Sequence, residues 1–187
     1  MRREESPLPG VCIIHPQVHE DPRGFFLESW HRDRFEAMGI RCSFVQDNHS
    51  RSAQGVLRGL HYQLTRPQSK LVRVIEGEVY DVAVDVRRGS PTFGRWTGHR
   101  LSAANRRMLF IPEGFAHGFY VVSGPAQCLY KCSDVYVPSD ERGVAWNDPE
   151  IGIEWPLGGV EPILSGRDRA WKPLSACSPP DLPSVAK

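Results

Sequence analysis

Val56-Leu57-Arg58-Gly59-Leu60-His61-Tyr62-Gln63, with Lys70-Leu71-Val72 close behind it, reads as two apolar strands that carry cations and an imidazole. Burying Arg, His or Lys without a partner costs on the order of several kcal/mol, so such groups belong inside a strand only where they line a polar pocket. Three of them on neighbouring strands predict a cavity within a β structure. Arg58 and His61 stand three residues apart, which in a regular strand sends them to opposite faces. Gly59 supplies a way to re-aim one of them, through a bulge.

Outward from this stretch the chain is dominated by strands. Apolar runs at 11–15, 24–30, 44–50, 56–63, 70–75, 79–86, 96–101, 107–111, 118–123 and 128–132 are separated by Gly and Pro. Glu76-Gly77 between two of these runs predicts a tight hairpin, because Gly tolerates positive φ. Gly124-Pro125 punctuates another pair of runs. One short helix is expected over 31–38, stopped by Gly39. Many short strands with so little helix point to an all-β fold, a jelly-roll barrel with a few short helices. At 187 residues the chain suits a single domain spanning 1–187, with the Pro/Ser-rich stretch 175–187 expected to be a mobile tail.

A formal net charge of +1 with 24% charged residues excludes a broad field for nucleic acid or an anionic membrane. No run approaches the roughly 20 apolar residues of a membrane span, and the N-terminus shows no secretory signal. Cysteine usage agrees with a reducing compartment. The five cysteines form no CxxC pair, and Cys128 and Cys132 lie four apart in one strand, about 13 Å, too far for a disulfide. A cytoplasmic location is expected.

The candidate chemistry sits on consecutive strands. Gln46, Asn48 and Ser50 share one face, as do Lys70, Val72 and Val74. Asp81 and Asp85 alternate on one face and are expected to support Lys70 or Arg73. Small β-barrels of the cupin type often hold metal through a His-x-His pair. Here that position reads His61-Tyr62-Gln63, and His117 is followed by Gly118-Phe119, so no metal site is expected. His61 then becomes a candidate general base, Lys70 a cation for a developing enolate oxygen, and Tyr130 a proton donor from the far side. Base and acid on opposite faces of one carbon give inversion.

Seven ordered motifs carry a resemblance to a known family. They are Asp21-Pro22-Arg23-Gly24-Phe25-Phe26-Leu27-Glu28, Phe44-Val45-Gln46-Asp47-Asn48, Arg58-Gly59-Leu60-His61-Tyr62-Gln63, Lys70-Leu71-Val72, Ser90-Pro91-Thr92-Phe93-Gly94, Ile111-Pro112-Glu113-Gly114-Phe115-Ala116-His117-Gly118-Phe119 and Trp146-Asn147-Asp148-Pro149. Together they resemble dTDP-4-dehydrorhamnose 3,5-epimerase over about 10–168. The resemblance implies a cofactor-free, cupin-like homodimer in which His61 accepts a proton and Asp168 orients it. Tyr130 donates the returning proton, and Lys70 stabilises the enolate at the C4 ketone. It further implies that Arg23, Phe26, Glu28, Gln46, Asn48, Arg58, His117, Glu141 and Arg167 bind the nucleotide sugar, with Tyr136 stacking on thymine. N-terminal strands would pass to the partner, carrying Arg23 and Glu28 to its site. Arg167 stands where many members have Lys, which changes the hydrogen-bond geometry available there. Three other activities fit fewer of these features: a single-centre epimerase of a dTDP-4-keto-deoxysugar, a nucleotide-sugar binding protein without turnover, and a metal-dependent cupin oxygenase.

Overall fold

Two long strands, β7 (Lys70–Asp85) and β10 (Phe115–Cys132), organise the molecule in a computed structural model that describes residues 1–185. They pair antiparallel from Phe115↔Asp85 to Cys132↔Lys70, with register shifts between Val121 and Cys128. On one side of these shifts the pair is flanked by β9 (Met108–Ile111) and β5 (Gln46–Ser52); on the other, by β8 (Trp96–Ser102) and β6 (Leu57–Gln63). Beyond β9 come β2 (Cys12–His15) and β1 (Arg2–Glu5), and beyond β6 comes β11 (Glu141–Gly143). The continuous nine-stranded sheet therefore folds over on itself as two facing halves, the jelly-roll arrangement. A separate hairpin is formed by β3 (Val18–Asp21) and β4 (Gly24–Leu27).

The hairpin expected at Glu76-Gly77 is not there. Gly77 lies inside β7 at φ +71°, and a Cβ on it would come within 2.5 Å of the Pro125 carbonyl oxygen and 2.7 Å of that of Ser123. Glu76-Gly77 and Gly124-Pro125 thus face each other across the ladder as a paired bulge rather than ending their strands. Side-chain parity shows the extra residue: Val72 and Val74 point into the central core, and so do Val79 and Ala83, although the numbering changes from even to odd. A positive-φ glycine serves a turn and a bulge equally well, so the local signal could not distinguish them.

Leu71, Cys12, Ile14, Met108 and Phe110 face outward under α1 (Arg32–Ala37), whose Phe35 is buried among them. Gly39, at φ +84°, follows that helix where the sequence placed its stop. The outer face of the other half, with Leu60, Val82, Val84 and Ala116, is covered by the C-terminal segment. Each fully buried Val, Leu, Ile, Met or Phe among them contributes about 1.5–3 kcal/mol. The stretch expected to be a mobile tail is packed down through Val185. Leu182 is only 6% exposed, Asp181 accepts the Tyr62 hydroxyl at its carbonyl (2.8 Å), and Ser184 bridges to Arg88. Residues 186–187 of the expected tail lie outside the described residues. All five cysteines are free.

Candidate active site

His61 is placed by an irregularity in β6. Along β10 the register runs from His61↔His117 to Arg58↔Phe119, so three steps on β6 match two on its neighbour. The bulge falls at Gly59, where φ is +135° and a Cβ would lie 2.5 Å from the Gly118 backbone. No other residue fits so close a backbone approach. As the sequence suggested, the bulge brings Arg58 and His61 to one cavity of about 420 Å³, whose walls also include Lys70, His117, Tyr130, Arg167 and Asp168. A second compartment of about 230 Å³ shares His61, Lys70 and Tyr130 and adds Gln46, Asn48, Tyr136 and Glu141. Lys70 and Val72 stand opposite Cys132 and Tyr130 in the β7–β10 ladder. Gln46 and Asn48 share a face of β5 as expected, and the Gln46 amide donates to Asn48 Oδ1 at 2.9 Å.

On the cavity wall His61 Nε2 meets Asp168 Oδ1 at 2.6 Å. Asp168 rides on α2 (Gly166–Ala170). Ser165 caps that helix by accepting from the Asp168 N–H, and its hydroxyl donates back to Asp168 Oδ2 at 2.6 Å. Burial pushes the Asp168 carboxyl up, but hydrogen bonds from His61, Ser165 and the Gly59 N–H outweigh it and hold the group below the usual carboxylate range. An ionised carboxylate only accepts, so Nε2 carries a proton, and in the neutral imidazole the lone pair is then on Nδ1. His117 has its own carboxylate, Asp81 Oδ1 at 2.9 Å, inside the protein. Asp81 therefore does not pair with Lys70 or Arg73 as expected, and Asp85 pairs with Arg87 at 2.7 Å. The cause is sheet register: Asp81 lies two positions from the residue opposite His117.

Burial lowers the Lys70 ammonium's pKa from its ordinary value, with Cys132, Asp81 and Glu141 opposing the shift. Burial raises the Tyr130 phenol, which keeps it protonated at neutral pH; Cys132 adds to that shift and Arg58 opposes it. At the other end of the cavity Arg167 donates to the Tyr136 hydroxyl at 3.2 Å and pairs with Glu141.

Three expected site residues are elsewhere in this chain. Arg23 is 90% exposed and pairs with Asp21, Glu28 pairs with Arg34 at 3.1 Å, and Phe26 is 69% exposed on the β3–β4 hairpin. None lines either compartment. Ser165 was not picked out from the sequence as a site group, and Asp81 was read as support for Lys70 or Arg73, not for His117. Ser165 did carry a signal, a Ser-x-x-Asp helix start, whereas Asp81 had only its parity. Among the described residues, no three His, Cys, Asp or Glu side chains converge as a metal site. A carboxylate-backed imidazole, an ammonium and a phenol around one cavity can remove a proton next to a carbonyl, hold the enolate oxygen and return a proton.

Comparison with known proteins points the same way. Residues 5–176 match the family described as dTDP-4-dehydrorhamnose 3,5-epimerase. The enzyme of that name from Pseudomonas aeruginosa is 57% identical over 173 residues, covering 92% of this chain and 95% of its own length. A dTDP-4-dehydrorhamnose 3-epimerase from Streptomyces niveus is 44% identical over 171 residues, covering 90% and 82%. Among solved structures, the dTDP-6-deoxy-D-glucose-3,5-epimerase of Legionella pneumophila in complex with dTDP-4-keto-L-rhamnose superposes with a TM-score of 0.96. Its identity is 49%, over 100% of this chain and 99% of that one.

Proposed function

The chain belongs to the dTDP-4-dehydrorhamnose 3,5-epimerase family, and we propose that it inverts C3 and C5 of dTDP-4-dehydro-6-deoxy-D-glucose to give dTDP-4-dehydro-L-rhamnose. The observation that carries this reading is the 2.6 Å His61–Asp168 pair on a cavity shared with Lys70 and Tyr130. His61 Nδ1 takes the proton from the carbon next to the C4 ketone, and Asp168 stabilises the imidazolium that results. The Lys70 ammonium holds the enolate oxygen. Tyr130 gives a proton to the opposite face of the same carbon; the imidazolium then releases its proton to solvent and the phenolate recovers one from it. Both C3 and C5 flank the single ketone, so one carbonyl acidifies both centres. Proton transfer leaves the oxidation state unchanged, so the chemistry requires no cofactor.

Substrate binding follows the cavity walls. Arg58 faces the diphosphate with paired N–H donors, and Tyr136, braced by Arg167, stacks on thymine. Gln46, Asn48, His117 and Glu141 supply the remaining polar contacts. Arg23, Phe26 and Glu28 act in the partner's site of a homodimer, which accounts for an exposed aromatic and guanidinium on a hairpin outside the main sheet. The chain works as a single cupin-like domain in the cytoplasm, where its five free cysteines stay reduced. Among the described residues no helix is long and apolar enough to cross a membrane.

Proton NMR of dTDP-4-dehydro-6-deoxy-D-glucose in heavy water tests the function: loss of both the C3 and C5 proton signals with formation of the L-rhamno product is expected. Exchange at C3 alone would instead match the second reading, a single-centre epimerase, which the 44% identical 3-epimerase keeps in view. Binding with no exchange would leave only a nucleotide-sugar binder. For the dimer, mixing Arg23→Ala and His61→Asn variants should restore activity that neither shows alone.

A further inference from the structure

Gly143 stands directly opposite His61 in the β6–β11 ladder. A methyl group built on it would lie 2.5 Å from Cδ2 and 2.6 Å from Nε1 of Trp171. The indole therefore fills the space that any side chain at 143 would take. Its ring also meets the imidazole itself, edge to face, with centroids 6.2 Å apart and planes at 65°. Trp171 follows immediately after α2, the helix that carries Asp168. The indole N–H is buried with no hydrogen-bond partner, a cost that a phenyl ring in the same place would avoid. Trp171 is absent from the walls of both cavity compartments. It lines instead a separate groove of about 360 Å³ with Tyr62 and Arg142. It stands behind the imidazole, away from the space a substrate would occupy.

We propose that Trp171 is a positioning residue: seated on Gly143, its indole backs the His61 ring and ties α2 to β6, holding the His61–Asp168 pair in register during turnover. This rests on the reading of His61 as the base. Two physical reasons support it. Rotation of an imidazole about its last side-chain bond is soft, and one hydrogen bond to Asp168 fixes only one edge of the ring, so a wall behind it steadies the aim of Nδ1. A helix of five residues has no stability of its own, so Asp168 stays in place only through what anchors its ends. Ser165 anchors one end, and Trp171 anchors the other.

Trp171→Ala, Trp171→Phe and Gly143→Ala, compared by solvent deuterium exchange, test the proposal. Trp171→Ala should lower kcat roughly 10- to 100-fold with KM nearly unchanged, as expected when a supporting group lets a reacting one drift. It should also move the acid limb of the pH profile of kcat/KM. The charged or titratable groups around His61 that set this limb are Asp168 from α2, His117 from β10, Glu141 from β11 with Tyr136 beside it, and Arg58, Lys70, Tyr130 and Arg167 on the cavity. Trp171→Phe, which keeps an aromatic edge, should recover most of the rate, and Gly143→Ala should reproduce the loss with the indole still present. In the unmodified protein, the emission of Trp171 (the difference from Trp171→Phe) should fall along the same acid limb, since an imidazolium quenches an indole it touches. An unchanged kcat and acid limb in Trp171→Ala overturns the proposal. If that variant does not fold, a flat fluorescence difference across the limb overturns it. His61→Asn separates the two readings: exchange that persists there removes His61 as the base. Exchange lost there but intact in Trp171→Ala removes only the positioning role.

Discussion

Asp168→Asn keeps the shape of the side chain and deletes its charge. Abstraction of the sugar proton turns the His61 imidazole into an imidazolium, and the carboxylate oxygen at 2.6 Å attracts that new charge. At this separation and an effective dielectric of about 20, Coulomb's law gives about 6 kcal/mol between unit charges. His61 is 26% exposed, and solvent screening reduces the figure to roughly 2–4 kcal/mol. At about 1.4 kcal/mol per factor of ten, kcat should fall roughly 30- to 1,000-fold. A second effect works in the same direction. An Asn amide can donate to Nε2, which moves the imidazole proton to Nδ1 and removes the lone pair that faces the substrate. The assay is the initial rate of C3 and C5 proton loss from dTDP-4-dehydro-6-deoxy-D-glucose in heavy water, at saturating substrate. A rate within about threefold of the unmodified enzyme would refute the reasoning, because the screened attraction would then contribute almost nothing to the barrier.

Three further outcomes are expected. Tyr130→Phe should still exchange protons at His61 but return deuterium to the face it came from, so that epimer formation drops about 10²- to 10⁴-fold relative to wash-in; product NMR showing inversion at the normal rate would remove Tyr130 as the acid. Lys70→Met takes away a cation that burial disfavours and the enolate's electrostatic partner together. Its kcat should fall about 10²- to 10³-fold while the melting temperature of the free protein rises by roughly 2–4 °C, and a lowered melting temperature would count against Lys70 being held at a cost. The third concerns acid. In Asp85, Asp140 and Asp168 burial raises the carboxyl pKa, but hydrogen bonds outweigh it and hold each below the ordinary value. The unfolded chain then binds more protons, so their stabilising contribution is complete above the ordinary pKa of about 4 and disappears as pH falls through the lower folded values. Denaturant midpoints of the unmodified protein should decline through this window more steeply than those of Asp168→Asn; parallel declines would show that Asp168 carries no such linkage.

The strands, the helix at 32–37 and the pocket-lining cations were legible because each depends on local rules. Alternating apolar residues mark a pleated face, a positive-φ glycine marks a break in regularity, and a buried-looking cation marks a cavity. The same locality explains the errors. Gly77 was read as a turn because a turn and a bulge ask the same φ of it; only the contact with Ser123 and Pro125, far along the chain, makes it a bulge inside one long strand. Asp81 was matched to the cations on its own strand, yet its partner is His117 on the neighbouring one. The segment ending at Val185 has the composition of a loose tail but covers an apolar sheet face that nothing in its own residues announces.

Residue types and their order were thus enough to propose an imidazole, a phenol and an ammonium as a working set; the carboxylate, Asp168, came only with the family resemblance. Which of them meet was left to the fold. His61 and Asp168 are 107 positions apart, and what joins them is the register of β6 between β10 and β11 together with the seating of a five-residue helix. Local preferences set the backbone angles and which side chains seek burial. Distances between remote groups are instead set by strand pairing, where a one-residue slip would turn His61 to the opposite face and leave Asp168 facing nothing.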